Sequence, residues 1–223
     1  MKRRPLPVAI ALTATAALLL TSCGSEDDTS GDKDQIAGAG QGSESPKKPA
    51  NPSSAPAEDK PDGVDVSLPK DMNLVFDWDR PEDENEAAAM DDAANFLRAI
   101  YRGVDKRTTK DAAVTAYSTG EGLRYAKVQI DSRVDGGWTA TGTRRHYQAT
   151  TRSAPNGKSV EVAFCVDSSK FYGKEIKTEK ILKSKPSIAD FDYFRIVMVK
   201  FPTGEGLWQA SKVFVEGKAE KCR

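Results

Sequence analysis

The stretch GGWTATGTRRHYQATTR, residues 136–152, divides the folded part of this chain into two halves of different character. Gly136 and Gly137 end a helical pattern, because glycine is the common residue just past the end of a helix. Threonine and aromatic residues then dominate from Trp138 to Arg152, which predicts a β-strand that bends at Gly142. The order of helices and strands on either side of this stretch therefore decides the fold class.

Helical periodicity dominates the residues before Gly136. Pro81 and the acidic residues after it predict a helix start, because proline fits the first turn and negative charge complements the helix dipole. Apolar residues then recur at three- and four-residue spacing, so one face of this helix is predicted to be buried. Two shorter helices follow, the first of them with a capping pattern led by threonine. The predicted helices span about residues 81–104, 108–117 and 121–134.

Strand patterns dominate after Arg152. Apolar residues alternate with others between Ser159 and Asp167, which predicts a strand whose apolar face carries Phe164 and whose other face carries Cys165. A turn signal at 155–157 separates this strand from the one before it. Two more strands are predicted over residues 191–201 and 207–215.

The remaining segments of this region carry weaker signals. Residues 71–79 are predicted to form an extended lead-in on the domain edge, and the lysine-rich residues 170–187 a charged loop. Helices followed by strands is the order of an α+β domain. The predicted architecture therefore has N-terminal helices packed on a curved antiparallel sheet of about four strands.

The N-terminus has the pattern of a bacterial export signal. Basic residues at 2–4 precede an uncharged, mostly apolar run from Pro7 to Leu20. This run is shorter than the roughly 20 residues that a membrane-spanning helix requires, and its basic flank is typical of a secretory signal peptide. It ends in Leu20-Thr21-Ser22-Cys23, which resembles the lipobox of bacterial lipoproteins.

The lipobox resemblance implies cleavage before Cys23 and a diacylglyceryl group on its thiol. Residues 1–22 are therefore predicted to be a signal peptide, and the chain to be lipid-anchored on the extracytoplasmic face of the cell membrane. Residues 23–70 are poor in apolar side chains, so they are predicted to be a disordered tether. Residues 71–223 are predicted to form the folded domain.

The cysteines favour a disulfide bond. With Cys23 assigned to lipid, Cys165 and Cys222 remain as an even pair in an exported, oxidising compartment. A thiol catalyst or a metal site has little support, because the chain has one histidine and no Cys-x-x-Cys motif. No cofactor is predicted.

A family resemblance appears in the second half of the chain. It is carried by Cys165-Val166-Asp167-Ser168, Gly173-Lys174, Gly206-Leu207-Trp208 and Cys222, in that order. Their arrangement resembles the NTF2-like domain (cystatin-like, cone-shaped) of actinobacterial secreted lipoproteins over about residues 82–222. The resemblance implies a structural bridge between the two cysteines and a pocket enclosed between sheet and helix.

Several residues could line such a pocket. His146 is the single histidine and could act as a base with Asp167 or Tyr172 as partner, although a surface strand carrying Arg-Arg-His is the blander interpretation. Trp138 and Trp208 could line the pocket or belong to the aromatic core. No Ser-His-Asp order, metal-ligand spacing or phosphate-binding glycine loop accompanies these residues.

Three hypotheses about function follow. The first is a non-catalytic binding module for an envelope protein or a small ligand. The second is an enzyme of the isomerase or dehydratase kind that uses a pocket acid or base, and the third is a structural component of an envelope complex. Nucleic acid is not an expected partner, because 33 basic residues are balanced by 33 acidic ones.

Overall fold

The computed structural model describes residues 61–203 and 206–223. The predicted signal peptide, Cys23 and the predicted tether as far as residue 60 lie outside the described residues. The regular elements are, in chain order, β1 (Met72–Asp77), α1 (Glu84–Asp105), α2 (Ala112–Ala116), α3 (Gly120–Asp135), β2 (Trp138–Ser153), β3 (Ser159–Glu175), β4 (Ile181–Leu182), β5 (Phe191–Lys200) and β6 (Trp208–Gly217). Short 3-10 turns occupy Pro61–Gly63, Ile188–Asp190 and Glu220–Cys222.

The described strands form one mixed sheet. Its order is β1-β2-β3-β5-β6, with β4 paired to β3, which makes six strands in this part of the chain. The pair β1 and β2 is parallel, whereas the pairs β2–β3, β3–β5 and β5–β6 are antiparallel. The predicted antiparallel sheet of about four strands in an NTF2-like cone is therefore wrong, although helix and strand are both well represented.

Two strands were missed for different reasons. β1 occupies the segment predicted to be a lead-in, and its neighbour β2 lies beyond all three helices in the sequence. Because the parallel partner of β1 is so far away in the sequence, no local sequence pattern indicates this pairing. In the segment predicted to be a charged loop, β3 continues to Glu175, and the two exposed residues of β4 pair with it.

Aspartate side chains cap the N-termini of α1 and α2. Asp83 caps α1 and accepts hydrogen bonds of 3.0 Å from the backbone N–H groups of Asn85 and Glu86. Asp111 caps α2 in the same way, so that helix begins later than the threonine pattern predicted. An N-terminal cap of this kind stabilises a helix by about 1 kcal/mol. Among the described helices, none combines the length and apolar character needed to span a bilayer.

The core lies between α1 and one face of the sheet. The alternation predicted for β3 is confirmed, since Val160, Val162, Phe164 and Val166 are all buried on this inner face. Alanine-rich turns of α1 pack against the sheet, because small side chains let the helix approach it closely. The outer face of the sheet carries Cys165, which alternates with these residues along β3.

Two glycines permit close backbone approaches that fix this packing. A Cβ on Gly122 in α3 would lie 2.0 Å from the carbonyl oxygen of Ala210 in β6, so only glycine lets this helix sit on the strand. Gly142 in β2 has a φ of +98°, and a Cβ there would lie 2.2 Å from the carbonyl oxygen of Lys170. Gly142 thus has a left-handed backbone, which glycine adopts more readily than other residues.

Contacts with the domain begin before residue 71. Val66 is buried in the main core with 1% exposure, and Val64 packs against the same cluster. Ser67 accepts a 3.1 Å hydrogen bond from Arg102 of α1. Residues 64–68 therefore belong to the folded part, although their composition resembles that of the predicted tether.

The predicted disulfide bond joins Cys165 to Cys222, with a Cα–Cα distance of 5.3 Å. It lies on the outer face of the sheet and packs with Tyr147, Tyr193 and Ala219. The hydroxyl of Tyr147 also donates to the carbonyl of Cys222. The C-terminal turn is therefore fastened to the sheet by both a covalent bond and a hydrogen bond.

Replacing both Cys165 and Cys222 by alanine should lower the free energy of unfolding by about 2–5 kcal/mol. The bond closes a loop with a sequence separation of 57 residues, whose chain entropy alone corresponds to about 4 kcal/mol. Urea denaturation monitored by circular dichroism measures the change. The control is Cys23→Ser, which should leave stability unchanged, and two titratable thiols in denatured, unreduced Cys23→Ser protein would refute the bond.

Candidate functional site: a cleft between the helices and the sheet

Two adjoining cavities lie between the helices and the inner face of the sheet, with volumes of about 290 and 600 Å³. Both are partly open to solvent, and their sizes are those of sites for small molecules. We call the two together the cleft. The residues that line both cavities are Tyr101, Gln129, Arg133, Arg144 and Asp192.

The alternation of side chains along β2 and β5 determines which residues form the floor of the cleft. Arg144 in β2 lies on the same face as His146, and Asp192 in β5 on the same face as buried Phe194. Arg145, between Arg144 and His146, points to the outer face and pairs with Asp77. Along both β2 and β5, the inner face therefore carries a buried core residue and, two positions away, a charged residue of the cleft.

Helix periodicity places the wall of the cleft. Tyr125, Gln129 and Arg133 are spaced four residues apart on α3, so they form one stripe that lines the smaller cavity. Tyr101 of α1 faces them and is 4% exposed. Ala126 and Ile130 form the adjacent buried stripe, which holds α3 in place and turns the polar stripe toward the cleft.

Arg144 is a largely buried charge in the cleft, with a side chain that is 13% exposed. Its Nη1 donates to the Tyr101 hydroxyl, and its guanidinium carbon lies 5.7 Å from the centre of the Phe194 ring. Asp192 approaches to 3.6 Å from Nη2, an ion pair longer than a hydrogen bond. The buried Nε has no hydrogen-bond partner among the described residues.

Arg133 faces the same aromatic ring from the helix wall. Its guanidinium carbon is 5.7 Å from the centre of the Tyr101 ring, and that of Arg144 is 5.9 Å away. Nη1 of Arg133 donates to the backbone carbonyl of Gln129 at 2.7 Å and to its side-chain oxygen at 2.9 Å. Two guanidinium groups are therefore oriented around one tyrosine.

Burial shifts the ionisation of two cleft residues. Burial raises the pKa of Tyr125 to about 12, against the opposing charge of Arg144, so its hydroxyl stays neutral. Burial also raises the pKa of the Asp192 carboxyl, and Arg144 again opposes the shift. Against Arg133 and Arg144, Asp192 is the single acid that lines the two cavities, so the cleft is positively charged.

Of the residues predicted to form a pocket, Trp138 and Tyr172 line the larger cavity. Both belong to the aromatic part of its wall, together with Phe171. Trp208 instead lies in the main core with 1% exposure, where its backbone N–H donates to Asp92. Of the two interpretations of Trp208, the aromatic core is the one that the structure supports.

His146 lies in the core rather than in the cleft. Its ring is 1% exposed, stacks on Phe76 with centres 4.5 Å apart, and meets Phe164 edge-on. Nδ1 is 3.0 Å from the carbonyl oxygen of Val75. Because a carbonyl can only accept, Nδ1 carries the proton. Burial, reinforced by the charge of Arg144, lowers the pKa of His146 to about 3, so the ring is neutral.

Asp167 lies outside the cleft as well. It pairs in register with Arg145 of β2, which points to the outer face, and accepts a 2.8 Å hydrogen bond from the backbone N–H of Ser169. The structure therefore does not bring His146, Asp167 and Tyr172 together, and the proposed base and partner do not form a dyad.

The central cleft residues Arg144, Arg133 and Tyr101 were missed by the sequence analysis. A signal for Arg144 existed, because it is two residues from His146 and must share its face of the strand. The stripe of Tyr125, Gln129 and Arg133 was also visible as a four-residue repeat. Neither pattern identifies a site by itself, because the site forms only where α3 and β2 face each other in the folded protein.

Metal binding has no obvious location in residues 61–203 and 206–223. No group of three or more histidine, cysteine, aspartate or glutamate side chains is placed there to hold an ion. The cleft offers a single carboxylate, Asp192, beside two guanidinium groups, which donate hydrogen bonds and do not coordinate cations.

Comparison with known proteins adds little. No protein-family model matches the chain, and no curated protein does. Among solved structures, the chain is similar to the intermembrane space region of chloroplast protein ARC6, with a TM-score of 0.35 and 10% sequence identity. This likeness covers 56% of this chain and 94% of that one. At this TM-score it carries no argument about function.

A buried acidic group lies in the first half of α1. Asp92 is 5% exposed and accepts hydrogen bonds from the backbone N–H of Trp208 at 2.8 Å and from the side chain of Asn95 at 3.2 Å. Burial nevertheless raises its pKa to about 7. Asp92 and His146 thus both prefer their neutral forms in the folded protein.

These two groups should give the stability opposite dependences on pH. His146 stays neutral in the folded protein down to about pH 3 but is protonated below about 6.5 when unfolded, so its contribution falls as the pH falls. Asp92 keeps its proton up to about pH 7 in the folded protein but only to about 3.8 when unfolded, so its contribution falls as the pH rises.

When either side chain is replaced, the pH dependence of the unfolding free energy should show the contribution of the other. From about pH 4 to 6.5, Asp92→Asn should make the unfolding free energy rise more steeply with pH than in the wild type, by up to about 1.4 kcal/mol per pH unit. His146→Phe should make it rise less steeply. Urea denaturation across this range measures the slopes, and three parallel curves would contradict the assignment.

Proposed function

We propose that this chain is a lipid-anchored, extracytoplasmic binding module that holds a small ligand in the cleft, without catalysing a reaction. The observation that carries the proposal is the cleft itself, in which tyrosine, arginine and apolar side chains converge on space of about 290 and 600 Å³. Ligand sites combine such apolar walls with a few oriented polar groups.

The absence of catalysis is supported by the placement of the titratable groups. General acid–base catalysis requires a group whose pKa lies near the working pH and which can reach the substrate. His146 is neutral and enclosed by aromatic rings, and Asp167 lies outside the cleft. Arginine keeps its proton, and the pKa of Tyr125 is raised to about 12, so neither suits proton transfer at neutral pH. The acid of the cleft, Asp192, faces the Arg144 guanidinium at 3.6 Å.

The location is supported by two features at opposite ends of the chain. The Leu20-Thr21-Ser22-Cys23 sequence after an apolar run predicts lipidation at Cys23. The Cys165–Cys222 bond suits an oxidising compartment outside the cytoplasm. Two acyl chains on Cys23 would be sufficient for stable membrane anchoring.

Binding in the cleft can be tested by filling it. The neutral fluorescent probe phenylnaphthylamine should bind chain 23–223 carrying Cys23→Ser, and Gln129→Trp should weaken this binding by about tenfold or more, because Gln129 lines both cavities. The matched control is Val128→Trp, since Val128 is 53% exposed on the same helix. The proposal fails if neither this probe nor its negatively charged analogue anilinonaphthalene sulfonate binds, or if the two tryptophan variants bind the probe equally.

The anchor can be tested by cell fractionation. Cys23→Ser should move the protein from the membrane fraction to the medium or leave an uncleaved precursor, because serine has no thiol to receive lipid. Immunoblotting of the fractions measures the distribution, with Ser22→Ala as the neighbouring control. Normal cleavage with unchanged membrane retention of Cys23→Ser would refute lipid anchoring.

A further inference from the structure

The guanidinium group of Arg144 is poorly compensated for its degree of burial. It carries five N–H donors, yet one donates to a described residue, the Tyr101 hydroxyl. Nε is buried without a hydrogen-bond partner in the described part of the chain, and the carboxylate of Asp192 stays 3.6 Å away. A buried charge is costly unless it is paired and hydrogen-bonded. An anion in the cleft would supply the missing acceptors.

Arg133 adds a second positive charge on the opposite wall. Its bonds to Gln129 orient the guanidinium, and no carboxylate among the described residues forms a salt bridge with it. The Tyr101 hydroxyl accepts from Arg144, so it keeps its own proton for a further acceptor. These three residues line both cavities, so their donors surround the place where the cavities meet.

Apolar and aromatic side chains form part of the wall on either side of these donors. Leu97, Ile100 and Phe194 line the smaller cavity, while Trp138, Phe171 and Tyr172 line the larger one. A bare inorganic anion would leave these surfaces without contacts. A ligand with a flat apolar body would cover them, and aromatic walls favour stacking.

We propose that the cleft binds an organic anion, a carboxylate or sulfonate with an aromatic or similarly flat apolar body, whose head lies between Arg144 and Arg133. This inference rests on the proposed function, because it names the class of ligand for the same cleft. Arginine suits the role, since its planar fork matches the two oxygens of a carboxylate.

The test compares two probes that share a ring system. Anilinonaphthalene sulfonate carries one negative charge, and phenylnaphthylamine is the same aromatic body without it. Chain 23–223 with Cys23→Ser should bind the sulfonate at a single site, about tenfold or more tightly than the neutral probe. Equal affinities would overturn the inference and leave the proposed function standing, whereas failure of both probes would refute both.

Arginine variants test which positive charges bind the sulfonate group. Arg144→Gln and Arg133→Gln should each weaken sulfonate binding by about tenfold more than they weaken binding of the neutral probe. The controls are Arg145→Gln, on the outer face of β2, and Arg124→Gln, exposed on α3; both should bind as the wild type does. Sulfonate binding unchanged in Arg133→Gln would overturn the inference, even if Arg144→Gln failed to fold.

Two further measurements separate the head from the body. Asp192→Asn removes the competing carboxylate beside Arg144 and should strengthen sulfonate binding several-fold, whereas weaker binding would contradict the assigned position of the head. Naphthalene sulfonate should displace the bound probe at concentrations where inorganic phosphate does not. Equal displacement by phosphate would overturn the requirement for an apolar body.

Discussion

The parallel pairing of β1 with β2 constrains the rest of this fold. Parallel neighbours cannot be joined by a tight turn, so the chain must leave Asp77 and return at Trp138 through a long crossover. That crossover contains all three described α-helices. α1 and α3 pack on the inner face of the sheet, and the outer face is left to the disulfide bond and the C-terminal turn.

The cleft follows from how this crossover covers the sheet. Close contacts such as that between Gly122 and Ala210 pack the N-terminal end of α3 against β6. Toward the C-terminal end of α3, Gln129 and Arg133, together with Tyr101 of α1, lie over the charged residues Arg144 and Asp192 instead of an apolar core. Burying Arg144 with few acceptors costs stability, and local departures of this kind from a satisfied core are typical of functional sites.

Local patterns in the sequence predicted a large part of the fold. The period-two alternation from Val160 to Val166 indicated which face of β3 is buried, and the glycines at 136 and 137 marked the change from helix to strand. Cysteine counting indicated the Cys165–Cys222 bond. The direction and partner of β1 could not be predicted in this way, because strand pairing depends on residues more than sixty positions away. The docking of Val66 on the core was hidden for the same reason.

The sequence by itself determined the spacing of side chains along each element, because helix and strand periods are properties of the local backbone. It therefore placed Arg144 and His146 on one face of β2, and Arg133 on one stripe of α3. Only the tertiary structure decided that His146 is enclosed by Phe76 and Phe164 while Arg144 opens into a cleft. That difference arises from the residues that pack against each side chain. Phe76 and Phe164 come from the strands on either side of β2, whereas Tyr101, which contacts Arg144, comes from α1.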